Sequence, residues 1–297
     1  MIWFCRNGWK WKSKLHSQVP RRYKGFAMLK ITGFNLQSFA VGCKHTRAFS
    51  VNDVGGVIAD YTLGECGVPN SPFPEKFYDR VAIGTGSVEL STDDSIHSFI
   101  VTADKTVLTE KTPQADNSLS DTDVEEIFNR AKHLMPNTLD LIKKPKTIFL
   151  GMAWQFAEAT YIERERFNHP AAKSIADRII NIKLHNMEHP SEANVRLSFR
   201  KVLEKSYFIK GMNDYINVNL NIADTRTSTL WPDKSKDNKQ SSNDNPRVAI
   251  ISVDIQRMFD PCRELAVKSF DIHWQYCQQL LKGRIQALLG EIGFDKT

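Results

Sequence analysis

The sequence predicts an α+β protein made of two successive units, each a mostly antiparallel sheet with helices on one face. Three observations carry that expectation. Several short runs alternate apolar and polar residues, the period of a strand with one wet face. Other runs space apolar residues three and four apart behind a capping residue or a proline, the signature of a helix. The segments follow the order βαβββα in residues 28–143 and the same order again in 144–297, which reads as a structural duplication. Residues 1–27 precede both units as an N-terminal extension.

In the first unit, residues 29–43 (LKITGFNLQSFAVGC) read as a strand in which Leu29 and Ile31 alternate ahead of Phe34 and Phe39. Ser50 and Asp53 fit a capping box, and Val54, Val57, Ile58 and Tyr61 then fall at helical spacing. Gly55 and Gly56 weaken that helix by about 1 kcal/mol each relative to alanine. The proline-rich stretch 68–76 (VPNSPFPEK) is a loop, because proline lacks the N–H that a ladder or helix needs. Strands are expected at 79–90, 97–102 and 106–110, with GTGS at 84–87 as a bend or bulge inside the first. Ser120 and Asp123 form a second capping box, Val124, Ile127, Ala131 and Leu134 share one helical face, and Pro136 is expected to stop the helix.

The second unit opens on TIFLGMAWQFAEA, 147–159, a nearly all-apolar strand of the kind covered on both faces. Pro170 suits a first helical turn, and Ala172, Ile175, Ile179 and Ile182 continue at helical spacing. Strand 195–203 turns Val195, Leu197 and Phe199 inward and Arg196, Ser198 and Arg200 outward. Strand 214–222 turns Ile216, Val218, Leu220 and Ile222 inward and Asn217, Asn219 and Asn221 outward. Residues 224–246 carry only Leu230 and Trp231 as large apolar groups and read as a flexible insertion. A buried strand at 248–256 and a helix over about 263–289 close the chain. That helix is the strongest periodic signal: Ala266, Phe270, Trp274, Cys277, Leu281, Ile285 and Leu288.

The segment ISVDIQ followed by FDIHWQYCQQLLKGRIQALLG resembles the C-terminal signature of a sporadically distributed family of uncharacterised prokaryotic proteins. Asp254 and Ile255 match the family's strand, Ile272 and His273 sit where it has a Leu-His pair, and Arg284 matches its basic helix end. The resemblance spans about the last 50 residues and otherwise rests on element order. It implies a duplicated α+β body and the patchy occurrence of defence-associated genes, and it brings no catalytic residue.

Charge is unevenly distributed. The chain carries 40 Lys and Arg against 34 Asp and Glu, a net +6. Arg6, Lys10, Lys12, Lys14, Arg21, Arg22 and Lys24 supply seven of those positives with no carboxylate among them, so the remainder holds 33 positives and 34 negatives, a net −1. The high isoelectric point therefore belongs to the extension, where Trp3, Phe4, Trp9, Trp11 and Tyr23 interleave with the cations. That mixture suits a protein partner, a nucleic acid or an anionic surface. Trp9 and Trp11 stand two apart and so on different helical faces, which does not support a membrane-lying helix. Translation from Met28 would make the extension dispensable. No run approaches the ~18 apolar residues of a membrane span, and a cytoplasmic location is expected.

The chemistry-bearing motifs are few. Five cysteines, an odd count with no CxxC spacing, argue against a disulfide framework or a cysteine zinc site. HNMEH, 185–189, matches the HxxEH zinc pattern with Glu188 as base. Pro190 disfavours helical geometry at His189, so the two histidines are expected at a solvated helix end and no metal or cofactor is expected. The outward residues Arg196, Ser198, Arg200, Asn217, Asn219 and Asn221 would share one sheet face rich in amides and positive charge, suited to phosphate or peptide contacts. No aromatic residue for base stacking is expected on that face. The sequence thus points to a binding or regulatory accessory protein acting through protein contacts in a prokaryotic defence setting. A nucleic-acid binder using the arm or the Arg/Asn face comes second, and a zinc hydrolase using His185, Glu188 and His189 third.

Overall fold

The computed structural model describes residues 29–66, 78–114, 116–158, 172, 175–176, 193–202, 213–226, 230 and 247–294. The extension with its cations Arg6 to Lys24, the HNMEH motif and most of the helix expected after Pro170 lie outside those residues.

The strands form one continuous sheet rather than two. In chain order they are β1 (Phe34–His45), β2 (Arg80–Gly84), β3 (Ser87–Ser91), β4 (His97–Thr102), β5 (Lys105–Lys111), β6 (Thr147–Glu158), β7 (Asn194–Val202), β8 (Tyr215–Arg226) and β9 (Arg247–Arg263). Their order in space is β2-β3-β4-β5-β1-β6-β9-β8-β7. Every neighbouring pair is antiparallel. The first strand of each half, β1 or β6, sits at the centre, and the last strand of that half, β5 or β9, lies beside it. The α+β class holds, and the pairing of β1 with β6 fuses what the sequence suggested as separate sheets.

Helices α1 (Val51–Cys66), α2 (Asp121–Leu141), α3 (Val267–Leu280) and α4 (Gln286–Glu291) complete the described elements, a π-helical turn at Leu281–Ile285 joining the last two. The buried side chains of alternate strand positions define the helix-facing side: Leu36, Phe39, Val41 and Cys43 on β1, and Leu150, Met152, Trp154 and Phe156 on β6. Phe39 meets Trp154 at 5.1 Å and Trp274 of α3 at 6.2 Å, and Trp274 stacks on Phe128 of α2 at 4.3 Å. The sheet and two helices thereby share one aromatic centre. Ala172 and Ile175 are buried in the same core.

Several expectations are corrected by tertiary contacts. The run 79–90 is not one strand: GTGS makes the hairpin turn between β2 and β3, with Gly86 at φ +74°, a conformation that favours glycine. The Ser120–Asp123 capping box forms as expected. Ser50 and Asp53 do not make theirs, because the Ser50 hydroxyl instead donates to the carbonyl of Ile142 at 3.0 Å. Gly55 has a packing reason: a β-carbon there would lie 2.8 Å from Ile83 Cγ2, so glycine lets α1 sit on the hairpin. Helix α2 runs through Pro136 to Leu141, and burial of Thr138 and Leu139 offsets a cost of about 3 kcal/mol for the interior proline. Strand β8 continues to Arg226, and Asp224 accepts from the Ala193 N–H at 2.9 Å and pairs with Arg247. The first residues of the expected insertion are therefore ordered sheet, and Leu230 packs on Ala157, Ala223, Val248 and Ile250. Strand β9 extends to Arg263, so the last long helix begins only at Val267.

Candidate functional site

Helices α1, α2 and α3 lie on one side of the sheet; on the other, Leu230 packs at the end formed by Ala157, Ala223, Val248 and Ile250, and the register fixes which described residues meet on the rest of that open face. One row crosses six strands: Lys111, Ser38, Gln155, Ser252, Asn221 and Arg196 on β5, β1, β6, β9, β8 and β7. The next, about 7 Å along the strands, is Thr109, Ala40, Ala153, Asp254, Asn219 and Ser198. A third reads Val107, Gly42, Gly151, Gln256, Asn217 and Arg200. At the edge stand Lys105, Lys44, Phe149, Met258 and Tyr215. The all-apolar reading of β6 as covered on both faces is thus corrected: its small residues, Gly151 and Ala153, face the open side.

A depression of about 550 Å³ lies over β7, β8 and β9, and every residue that lines it is hydrophilic: Asn194, Arg196, Asn217, Asn219, Asn221, Ser252, Asp254 and Gln256. The structure therefore brings together Arg196, Asn217 and Asn219 and sets Arg200 beside them. At its centre, Asp254 accepts from Gln256 Nε2 at 2.6 Å and from Asn219 Nδ2 at 3.3 Å. Burial raises the Asp254 pKa above the usual carboxylate value, against the pull of those two amides and of the Arg196 charge. Asn219 Oδ1 in turn accepts from Ser198 at 2.9 Å. Arg200 donates to Asn217 Oδ1 at 3.3 Å and lays its guanidinium 4.5 Å from the centroid of the Tyr215 ring. Arg196, Asn221 and Ser252 line the same depression without a side-chain hydrogen bond to the described residues, and the Arg196 charge acts on Asp254.

Tyr215 and Phe149 are what the sequence reading missed. Strand alternation puts Tyr215 on the face of Asn217 and Asn219, so the signal was present two residues before the first asparagine. Phe149 was hidden because its run is apolar throughout and gives no alternation. Its ring lies 3.6 Å from where a β-carbon on Gly151 would sit, an ordinary packing distance.

A buried ion cluster anchors the edge that carries Tyr215. Asp214, its chain neighbour, accepts from Arg257 Nε at 3.0 Å, from Arg263 Nη1 at 2.8 Å and from the Asp260 N–H at 3.2 Å. Burial alone would raise the Asp214 pKa, but the hydrogen bonds from Arg263, Asp260 and Arg257 outweigh it and hold the carboxyl below the usual range. These contacts tie the start of β8 to the far end of β9.

The residues of the C-terminal signature divide between two tasks. Asp254 faces the open side, whereas Ile255 points inward and its carbonyl accepts from His273 Nε2 at 3.1 Å. Burial, reinforced by the nearby Arg257 charge, lowers the His273 pKa from its ordinary 6.5 to about 3, so the ring is neutral. His273 thus fastens α3 to β9 and does not reach the open face. Cys43 and Cys277 are buried free thiols, and burial pushes Cys43 up to about 12, which removes it from thiolate chemistry at neutral pH. Among the described residues no group of three His, Cys, Asp or Glu side chains is placed to hold a metal ion, and no helix is long and apolar enough to cross a membrane. No protein-family model matches the chain, and no curated protein matches it.

Proposed function

We propose that this protein is a binding protein of the regulatory, accessory kind, and that the open face of its sheet receives the partner. The observation that carries the reading is the polar depression: eight hydrophilic side chains from three strands converge on one concavity. Amides arranged this way offer donors and acceptors together, which suits an elongated polar macromolecule better than a small apolar ligand. A cytoplasmic accessory role in a prokaryotic defence setting accords with the resemblance of the last 50 residues.

Site-specific photo-crosslinking in cells tests this reading. A benzophenone amino acid replaces Ser252 on the open face or Lys268, an exposed residue at the start of α3. The Ser252 position is expected to yield a discrete adduct and the Lys268 position none. Adducts only from position 268 would move the binding surface to the helix side.

A further inference from the structure

We infer that the partner of the open face is single-stranded nucleic acid, laid across the strands along the row Lys105, Lys44, Phe149, Met258 and Tyr215. The inference rests on the reading of that face as the binding surface and adds the chemistry of what binds. The row crosses five strands, and the Arg200 guanidinium reaches to it from the neighbouring row on a sixth, so the surface spans about 24 Å at the usual strand spacing. That length matches the low end of single-strand site sizes, about four nucleotides.

The order of chemistry along the row is what such a strand requires. Lys105 and Lys44 are exposed and adjacent in register, a point of contact for phosphates. Phe149, Met258 and Tyr215 follow, half-buried at their bases with part of each side chain presented to the open side. Successive bases stack on such side chains whatever their sequence. The guanidinium of Arg200 over the Tyr215 ring prolongs the stacking surface and adds a third cation. One row inward, Gly42 and Gly151 carry no side chain, and Gln256 and Asn217 offer amides to the edges of bases stacked at the rim.

Charge points the same way. Across the four rows stand Lys44, Lys105, Lys111, Arg196 and Arg200 against the carboxylates of Asp254 and, two strands beyond Val107, Glu89. Residues 25–297 as a whole carry 33 positives and 34 negatives. A nearly neutral body with such an excess on one face has sorted its charge toward that face, which steers an anionic polymer to it. An acidic polypeptide would answer the charge but would leave the aromatic row unused.

Fluorescence anisotropy with a labelled twelve-residue oligothymidylate, on the full chain, tests the inference. Each variant is compared with the parent at the same salt. Tyr215→Ala is expected to weaken binding about 5- to 150-fold, the usual loss for one stacked base, and Tyr215→Phe to retain it. Lys44→Glu is expected to reduce the log–log salt slope by about 0.7 for each phosphate that is no longer neutralised. Lys268→Glu, an equal charge change on the helix side, is expected to leave binding unchanged. If Tyr215→Ala compromises folding, Lys44→Glu still decides the matter. Identical binding by parent, Lys44→Glu and Tyr215→Ala would overturn the inference. So would binding of poly-glutamate, but not the oligonucleotide, in a manner that Lys44→Glu abolishes; that outcome keeps the open face as the binding surface and makes the partner an acidic polypeptide. Absence of the Ser252 adduct in cells fails the broader reading instead.

Discussion

His273 makes the stability of this fold depend on pH in the mildly acid range. The ring is fully buried between α3 and β9, and its pKa falls from 6.5 to about 3 through burial and the Arg257 charge. The unfolded chain therefore takes up a proton at His273 near pH 6.5, while the folded chain does so only near pH 3. Between those values the unfolded state binds more protons, so stability falls as pH falls. A displacement of this size is worth about 5 kcal/mol in full, at about 1.4 kcal/mol per pH unit, of which about 2 kcal/mol is lost between pH 7 and pH 5. That is a large share of the 5–15 kcal/mol typical of a folded domain. Asp254 acts in the opposite direction: burial raises its pKa, so its ionisation with rising pH removes stability above the ordinary carboxylate value. The depressed Asp214 pKa contributes stability that is lost only as pH falls below the ordinary carboxylate range. The variant His273→Gln separates these contributions. Its amide can donate to the Ile255 carbonyl as the imidazole does, yet it does not titrate. Urea unfolding at pH 7, 6 and 5 should show the parent losing about 2 kcal/mol more than the variant across that interval. Parallel profiles for the two proteins would refute the argument and place the proton elsewhere.

Other substitutions probe the frame that holds the open face. Trp274→Ala should cost about 3–5 kcal/mol in urea unfolding, because it empties the centre where Trp274 stacks on Phe128 and meets Phe39; a stable mutant that loses a partner would make α3 an interface instead. Asp214→Asn should cost about 3–5 kcal/mol, since it leaves Arg257 buried without its counter-charge. It should also weaken oligothymidylate binding through Tyr215, and unchanged stability would show the cluster to be well solvated.

Much of this architecture was legible in the sequence because it follows from local rules. Alternation in 195–202 and 215–222 announced two strands and the face that carries Arg196, Arg200, Asn217 and Asn219, since the period of two assigns each side chain a side before any partner is known. The Ser120 cap depends on four consecutive residues and formed as written. Other features depended on residues far apart in the chain. Ser50 lost its capping role to the carbonyl of Ile142, 92 residues away. Pro136 was tolerated because the next turn buries Thr138 and Leu139, a benefit that no local propensity contains. The pairing of β1 with β6 determined that there would be one sheet rather than two, and it lined up Lys105, Lys44, Phe149, Met258 and Tyr215 from five separate strands. A single strand specifies only which side of the sheet each residue takes. Its neighbours and its register are set by long-range burial, and the candidate site consists of those cross-strand adjacencies.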